Sequence, residues 1–294
     1  MKKLIFKGCG TAICTPFDES GKINYDELEK FIEFQINNKA DSIIVCGTTG
    51  EAATLSEDEK KAVINFVVEK VDKRIPVIAG TGSNNTLTAV NMTKFAENVG
   101  VDAALVVTPY YNKTTQQGMI KHFERIAQNT NLPIILYNIP SRTGINIEPE
   151  TCLELSKIKN IVAIKEASGN LSQVAKIASL CGNNLAIYSG NDDQVLPILS
   201  LGGKGVISVL ANIKPEFVHN MIKEYENGNV ENATKKQIEA IELINLLFCE
   251  VSPIPIKTAL NLIGFDFGEP RLPLIKMSDE NMIKLKKYLT INSN

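Results

Sequence analysis

Lys165 is the residue whose type and position most strongly suggest chemistry. It lies in IVAIKE (161–166), a run that begins with four apolar residues and has the composition of a strand buried on both faces. Lysine is rarely buried without a reason. Because burial disfavours the charged form of an amine, a lysine in such a strand can act as a nucleophile and form a Schiff base with a carbonyl substrate. The alternative is a structural lysine at a strand end, paired with Glu166 or another carboxylate.

Tyr137 is the second candidate. It lies near the end of PIILYN (133–138), the apolar run that precedes the run of Lys165. A phenol at this place could transfer protons while an imine forms, or orient the imine. The alternative is a buried tyrosine that only satisfies a hydrogen bond at the edge of the core.

Two further segments could hold substrate carboxylates. GTTGE (47–51) offers small residues, the hydroxyls of Thr48 and Thr49, and backbone N–H groups in a tight turn, which suits an anion. Arg142 is one of four arginines in the chain and could bind a carboxylate through two parallel hydrogen bonds. The alternatives are an ordinary glycine-rich turn and a surface arginine.

Motifs of other chemistries are missing from the sequence. It has no Walker sequence, no HExxH and no GxSxG, and its only histidines are His122 and His219. The six cysteines never form a CxxC pair, so we expect no structural zinc. Carbonyl chemistry at a lysine, without metal or cofactor, is the simplest hypothesis.

The elements that must position these residues follow a regular pattern. Short runs rich in Val, Ile and Ala recur, each followed by an amphipathic stretch long enough for a helix, which is typical of β/α units with a parallel sheet. Eight candidate strands lie at 10–16, 42–47, 75–80, 102–109, 133–138, 161–166, 185–190 and 204–209. A helix start is also visible, because Ser56 and Glu59 have the spacing of a capping box.

Eight strands, seven intervening helices and a last helix near 214–227 predict an α/β fold, namely a (β/α)8 barrel over residues 1–227. We expect a C-terminal helical domain over 228–294. A doubly wound open sheet is the alternative, although no GxGxxG follows the first strand. The C-terminal helices are predicted near 230–249, 254–263 and 279–289.

Composition narrows the class of protein. The chain has 294 residues, of which 44% are hydrophobic and 22% charged, as in ordinary globular proteins. Its net charge of −2 gives no global positive field for nucleic acid or an anionic membrane. The apolar run in MKKLIF is too short for a signal peptide, and no stretch approaches the roughly 20 residues that span a bilayer. We expect a cytoplasmic protein with reduced, mostly buried thiols.

Seven motifs run in order along nearly the whole chain. They are GTTGEAATL (47–55), AGTGSN (79–84), TPYYNK (108–113), YNIPSRTG (137–144), IKEASGN (164–170), SGND (189–192) and PIPIKTAL (253–260). Together they closely resemble the dihydrodipicolinate synthase family, also called 4-hydroxy-tetrahydrodipicolinate synthases. The resemblance implies a (β/α)8 barrel with a C-terminal helical domain.

The resemblance also implies a reaction. The family condenses pyruvate with L-aspartate 4-semialdehyde, without a metal, on the route to diaminopimelate and lysine. Lys165 matches the Schiff-base lysine, and Gly190 and Ile207 would contribute main-chain atoms near it. The enamine formed from pyruvate would attack the aldehyde, and the amine of the semialdehyde would displace Lys165 as the ring closes.

The remaining site residues follow from the same motifs. Tyr137, Thr48 and Tyr111 match the proton relay of the family. The backbone amides at Thr48 and Thr49 would hold the pyruvate carboxylate, and Arg142 would hold that of the semialdehyde. In family members the residue at the place of Tyr111 reaches into the site of a neighbouring subunit. The resemblance therefore implies a homo-oligomer, a tetramer built as a dimer of dimers.

One departure from the family concerns regulation. Feedback-sensitive members bind lysine through histidines and a glutamate that follow the first two motifs. Here those places hold Glu57, Lys60 and Thr88, while Asn84 and Tyr110 are kept. A cation at Lys60 would repel the lysine ammonium. We expect weak inhibition by lysine, or none.

Two other functions stay open at this point. N-acetylneuraminate lyase and 2-keto-3-deoxy sugar acid aldolases belong to the same superfamily and share the lysine, the tyrosine and a similar glycine-rich turn. Those relatives generally lack an arginine at the place of Arg142, so SRTG favours the synthase. The other alternative is a non-catalytic barrel that binds keto acids.

Overall fold

A computed structural model describes residues 2–291 of the chain. Its eight strands form one closed barrel in chain order, so the predicted (β/α)8 barrel is confirmed and the doubly wound sheet is wrong. The strands are Gly8–Ala12 (β1), Ser42–Val45 (β2), Val77–Gly80 (β3), Ala103–Val107 (β4), Ile134–Asn138 (β5), Ile161–Glu166 (β6), Ala186–Ser189 (β7) and Gly205–Ser208 (β8).

Seven of these strands lie within the predicted runs, but β1 begins and ends earlier than the predicted 10–16. Its ladder with β2 ends with the pair Ala12 and Ile44. Two residues later, the backbone N–H of Cys14 donates to the side chain of Asn212 at 3.0 Å. The chain leaves the ladder there although its residues stay apolar.

Helices alternate with the strands. They are Tyr25–Asn37 (α1), Glu57–Val71 (α2), Thr86–Val99 (α3), Gln116–Ala127 (α4), Pro140–Thr143 (α5), Pro149–Ser156 (α6), Leu171–Cys181 (α7), Val195–Ser200 (α8) and Pro215–Glu226 (α9). The predicted capping box of α2 is confirmed, because Ser56 Oγ accepts the N–H of Glu59 and the Glu59 carboxylate accepts the N–H of Ser56. Two helices, α5 and α6, separate β5 from β6 where the pattern predicts one.

The C-terminal part is helical, as predicted. It contains Val230–Leu247 (α10), Ile254–Leu262 (α11) and Asp279–Ile291 (α12). The predicted boundary between residues 227 and 228 falls in the connection between α9 and α10. That division into two domains stays a prediction.

The described residues cluster into two compact units. One comprises the residues up to Gly8 together with Pro76–Ile207, and the other comprises Cys9–Ile75 together with the residues from Ser208 onward. The first unit contains β5, β6 and β7, with Lys165 and Tyr137. The second contains β2 and the glycine-rich turn that follows it.

Aromatic side chains stabilise the second unit. Phe31 of α1 lies edge-on to Phe265 and Phe267, with ring centroids 5.3 and 4.9 Å away. Phe31 and Phe267 are fully buried. Edge-to-face pairs of this kind favour packing beyond the area they bury. The segment that follows α11 is thereby fixed against α1.

The thiols differ in exposure. Five are buried and one, Cys249, is exposed, and all six are free, in agreement with the expectation from the sequence. No helix within residues 2–291 is long and apolar enough to cross a membrane.

Candidate active site

Lys165 and Tyr137 lie side by side on neighbouring strands. They are register partners in the ladder between β6 and β5. Both are buried, with 6% and 5% of their surface exposed. The Lys165 ammonium nitrogen lies 4.3 Å from the centroid of the Tyr137 ring, which is within the range of a cation–π contact. The structure thus places a primary amine against a phenol.

Glu166 has partners other than Lys165. Its carboxylate accepts the N–H of Ser168 at 2.7 Å, the amide of Asn138 at 3.0 Å and the amide of Gln173 at 3.2 Å. Successive side chains of a strand point to opposite faces. Glu166 therefore faces the helix side of β6, and the alternative of a Lys165–Glu166 ion pair finds no support.

Gly190 leaves room next to Lys165. A Cβ atom at this position would lie 2.6 Å from Cβ of Ala167 and 3.1 Å from Cε of Lys165. The backbone N–H of Gly190 donates to the carbonyl of Glu166 at 2.8 Å. Only glycine therefore fits here without displacing the lysine stem. Ile207 is fully buried on β8.

Arg142 lies on the single-turn helix α5 and is exposed. Pro140 begins the turn and Gly144 ends it with φ +70°. The following residues are anchored by Asn138, whose side chain accepts the N–H of Ile147 at 2.9 Å and donates to Asn146 at 2.8 Å. The side chain at the end of β5 thus anchors the residues that follow the helix with the guanidinium.

Tyr111 is 91% exposed in the loop after β4. Its φ is +69°, an uncommon conformation for a bulky residue. The loop is held by Asn84, which donates to the carbonyl of Tyr110 at 3.2 Å and accepts from Asn112 at 3.1 Å. Tyr111 projects from this unit rather than packing within it.

Thr48 and Thr49 lie in the turn after β2, in the second unit. The N–H of Glu51 donates to the carbonyl of Thr48 at 3.1 Å, and the N–H of Ala52 donates to that of Gly47 at 3.3 Å. Thr49 is buried, with 4% of its surface exposed, and Thr48 is half-buried. The predicted tight turn is present, with its hydrogen bonds made.

Sequence reasoning did not single out Lys257 or His122. Lys257 is 1% exposed and pairs with Glu51 at 2.7 Å. His122 is 6% exposed and pairs through Nδ1 with the hydroxyl of Thr86 at 2.9 Å. A lysine inside the apolar run PIPIKTAL is a signal of the same kind as Lys165. The partners of both residues become visible only in the fold.

These features suit carbonyl chemistry. A buried amine can condense with a ketone, and an adjacent phenol can supply and remove protons. Within residues 2–291, no group of three or more His, Cys, Asp or Glu side chains has the arrangement of a metal site. The expectation of a reaction without metal or cofactor stays a prediction. The fold and the site define a class, that of (β/α)8-barrel enzymes with a buried lysine on a barrel strand.

Comparison with known proteins identifies the family. The sequence model of the dihydrodipicolinate synthetase family matches residues 5–292. The chain belongs to this family, and the resemblance seen in the sequence motifs is confirmed.

Individual relatives agree over nearly the full length. The 4-hydroxy-tetrahydrodipicolinate synthase 1 of Clostridium acetobutylicum is 58% identical over 285 residues, which cover 97% of each chain. The structure of dihydrodipicolinate synthase from Aquifex aeolicus has a TM-score of 0.96 and 44% identity, with 98% of each chain covered. The chloride-inhibited dihydrodipicolinate synthase from Acinetobacter baumannii, complexed with pyruvate, has a TM-score of 0.95 and 40% identity over 98% of each chain.

Proposed function

We propose that this chain condenses pyruvate with L-aspartate 4-semialdehyde to give 4-hydroxy-tetrahydrodipicolinate, the first committed step toward diaminopimelate and lysine. The observation that carries the proposal is the buried Lys165 amine, 4.3 Å from the centroid of the Tyr137 ring. The names of the relatives support the same activity, and so does the pyruvate bound to the relative from Acinetobacter baumannii.

The reaction begins at Lys165. Its neutral amine adds to the ketone carbon of pyruvate, and loss of water gives an imine. Loss of a proton from the pyruvate methyl group gives an enamine, which attacks the aldehyde carbon of the semialdehyde. The amine of the semialdehyde then adds to the imine carbon and displaces Lys165 as the ring closes. The amine of Lys165 is regenerated, and the whole reaction releases one molecule of water.

Other side chains would assist these steps. Tyr137, Thr48 and Tyr111 would transfer the protons that dehydration and ring closure require. The amides at Thr48 and Thr49 would bind the pyruvate carboxylate, because N–H groups of a turn bind anions well. Arg142 would bind the carboxylate of the semialdehyde.

The backbone around Lys165 would also contact the substrate. Gly190 and Ile207 would present main-chain atoms to bound pyruvate. The space beside Cε of Lys165, which a side chain at position 190 would fill, supports this assignment.

We also propose that the chain assembles as a tetramer, a dimer of dimers in which Tyr111 enters the site of the partner. The 91% exposure of Tyr111 supports this role, since a tyrosine that transfers protons must lie in a protected site. Sedimentation equilibrium of the native protein tests the assembly. An active monomer would overturn it.

Lysine would inhibit this enzyme weakly or not at all. The Lys60 cation would repel an incoming ammonium. Glu57 pairs with Lys61 at 2.6 Å, which reduces its availability to a ligand. Half-inhibition by lysine at sub-millimolar concentration would overturn this hypothesis. The five buried free thiols support a reducing location, the cytoplasm.

Borohydride reduction tests the central proposal, because it makes an imine permanent. We expect intact mass to show one pyruvate-sized adduct on the native protein and on Lys176→Ala, which removes an exposed lysine of α7. Lys165→Ala should show none. No adduct on folded native protein would overturn the mechanism and favour a non-catalytic barrel. An adduct together with cleavage of a sugar acid, but no consumption of semialdehyde, would favour an aldolase.

A further inference from the structure

A fully buried ion pair joins the C-terminal helices to the turn after β2. The Lys257 ammonium, on α11, lies 2.7 Å from the Glu51 carboxylate, and each side chain is 1% exposed. A buried pair stabilises only when its remaining hydrogen-bonding capacity is also used. This pair meets that condition.

The second oxygen of Glu51 accepts the backbone N–H of Arg271 at 2.9 Å. The Lys257 ammonium also donates to the carbonyl of Glu269 at 3.3 Å and lies 3.9 Å from the centroid of the Phe17 ring. Both charges are therefore enclosed by groups that compensate them, and three of these groups come from the segment 257–271.

The segment contacts the chain beyond the turn as well. The Arg271 guanidinium pairs with the Glu59 carboxylate at 2.6 Å and donates to the carbonyl of Thr54 at 3.1 Å. The C-terminal part of the protein thus contacts three residues of the 51–59 region, namely Glu51, Thr54 and Glu59, and Glu51 is the most buried of them.

Glu51 also determines the shape of the turn. Its N–H closes the turn on the carbonyl of Thr48, and its φ of +54° lies in the left-handed region. Cys46, at the other end of the turn, has the same φ of 54°. Such a backbone is strained for residues other than glycine and persists only where surrounding contacts hold it. For Glu51 those contacts are the Lys257 ammonium and the N–H of Arg271.

We propose that Lys257 is a positioning residue for the reaction, which acts by holding Glu51 and thereby the turn that presents Thr48 and Thr49. The inference rests on the proposed function, which assigns the pyruvate carboxylate to these threonines. It makes the C-terminal helices part of the catalytic arrangement, since a residue more than 200 positions from the turn sets its geometry.

The test measures the pyruvate concentration that gives half of the maximal borohydride-trapped adduct, alongside kcat/KM and thermal stability. In Lys257→Met we expect this concentration to rise about tenfold or more, because small displacements of a binding group are costly. The adduct at saturating pyruvate should still form, since Lys165 is intact. Glu51→Gln, which keeps the shape of the side chain, should change in the same direction.

The double variant Lys257→Met/Glu51→Gln separates positioning from stability. It leaves no unpaired buried charge, so its thermal stability should exceed that of Lys257→Met, while its half-saturating pyruvate concentration stays raised. Glu27→Gln is the matched control, because Glu27 is a buried carboxylate that also accepts a C-terminal N–H, that of Asp266 at 2.8 Å. It should leave half-saturation unchanged.

Two results would overturn the inference. One is native half-saturation in folded Lys257→Met. The other is recovery of half-saturation together with stability in the double variant, which would mean that the pair only stabilises the fold. A native protein without adduct would instead be a failure of the proposed function, visible before any variant is compared.

Discussion

The Lys165 ammonium lies against the face of the Tyr137 ring, not beside a carboxylate. The contact follows from the ladder, because the two residues are register partners at the ends of β6 and β5. The ring contacts the lysine, whereas the hydroxyl is the group that could transfer protons. The ring and the hydroxyl of Tyr137 therefore have separable roles.

Removing only the hydroxyl of Tyr137 should distinguish the role of the hydroxyl from that of the ring. In Tyr137→Phe we expect kcat to fall about a hundredfold or more, since a proton-transfer group is lost, while the trapped pyruvate adduct still forms. Steady-state kinetics and intact mass check this. Tyr188→Phe is the matched control, because Tyr188 is an equally buried tyrosine on β7 whose hydroxyl donates to the carbonyl of Phe6 at 2.6 Å. Native kcat in Tyr137→Phe would contradict the relay.

Adding one methyl group at position 190 should obstruct Lys165. In Gly190→Ala the new Cβ would meet Ala167 at 2.6 Å and Cε of Lys165 at 3.1 Å. We expect kcat/KM for pyruvate to fall at least about tenfold, because a misplaced nucleophile reacts slowly. The second variant Gly190→Ala/Ala167→Gly removes only the first contact. It should regain stability in thermal unfolding but little activity, and full recovery would show that the lysine stem is not obstructed.

Detaching the segment that carries Arg142 should affect one substrate. Asn138→Ala removes both hydrogen bonds that tie Asn146 and Ile147 to β5. We expect KM for the semialdehyde to rise about tenfold, with half-saturation of the pyruvate adduct unchanged. Asn160→Ala, which removes an amide that donates to three carbonyls elsewhere in the same unit, should change neither value. Equal effects on both substrates would contradict the assignment of Arg142.

His122 should make the protein sensitive to mild acid. Burial lowers the pKa of its imidazole to about 4, and among the described residues its Nε2 has no hydrogen-bond partner. As the pH falls below about 6.5, His122 becomes protonated in the unfolded chain. In the folded chain it stays neutral until the pH approaches about 4. The free energy of unfolding should therefore fall across this window by up to about 3 kcal/mol.

Urea unfolding at pH 7 and at pH 4.5 checks this expectation. His122→Asn keeps a group that can pair with Thr86 but cannot titrate in this range. Its unfolding free energy should depend less on pH than that of the native protein. The same pH dependence in both proteins would assign the acid sensitivity to other groups.

The barrel was predictable because its strands are buried on both faces, which makes them continuously apolar. Lys165 was visible for the same reason, as a charged residue in such a run. The end of β1 was not visible, since Ile13 and Cys14 are apolar although the N–H of Cys14 donates to a side chain, that of Asn212, and not to a strand. The single-turn helix α5 was missed because four residues are too few for a periodic pattern, although Pro140 and Gly144 mark its ends.

The pairing of Lys257 with Glu51 lies beyond sequence reasoning for a different reason. No periodicity links residues 206 positions apart. The residue type of Glu51 also gives no indication of its left-handed backbone. The sequence motif places five residues in a tight turn. The contacts that hold the turn come from a segment whose path only the fold defines.

The uneven exposure of the thiols has a practical use. Since Cys249 is the exposed cysteine and the other five are buried, a maleimide dye should attach to the native protein at one place, just after α10. Desolvation and the Glu250 carboxylate raise the pKa of the Cys249 thiol, so the coupling should run faster in mildly alkaline buffer. The sequence thus provides one position for a fluorescent label, and energy transfer between labelled copies would test the proposed assembly.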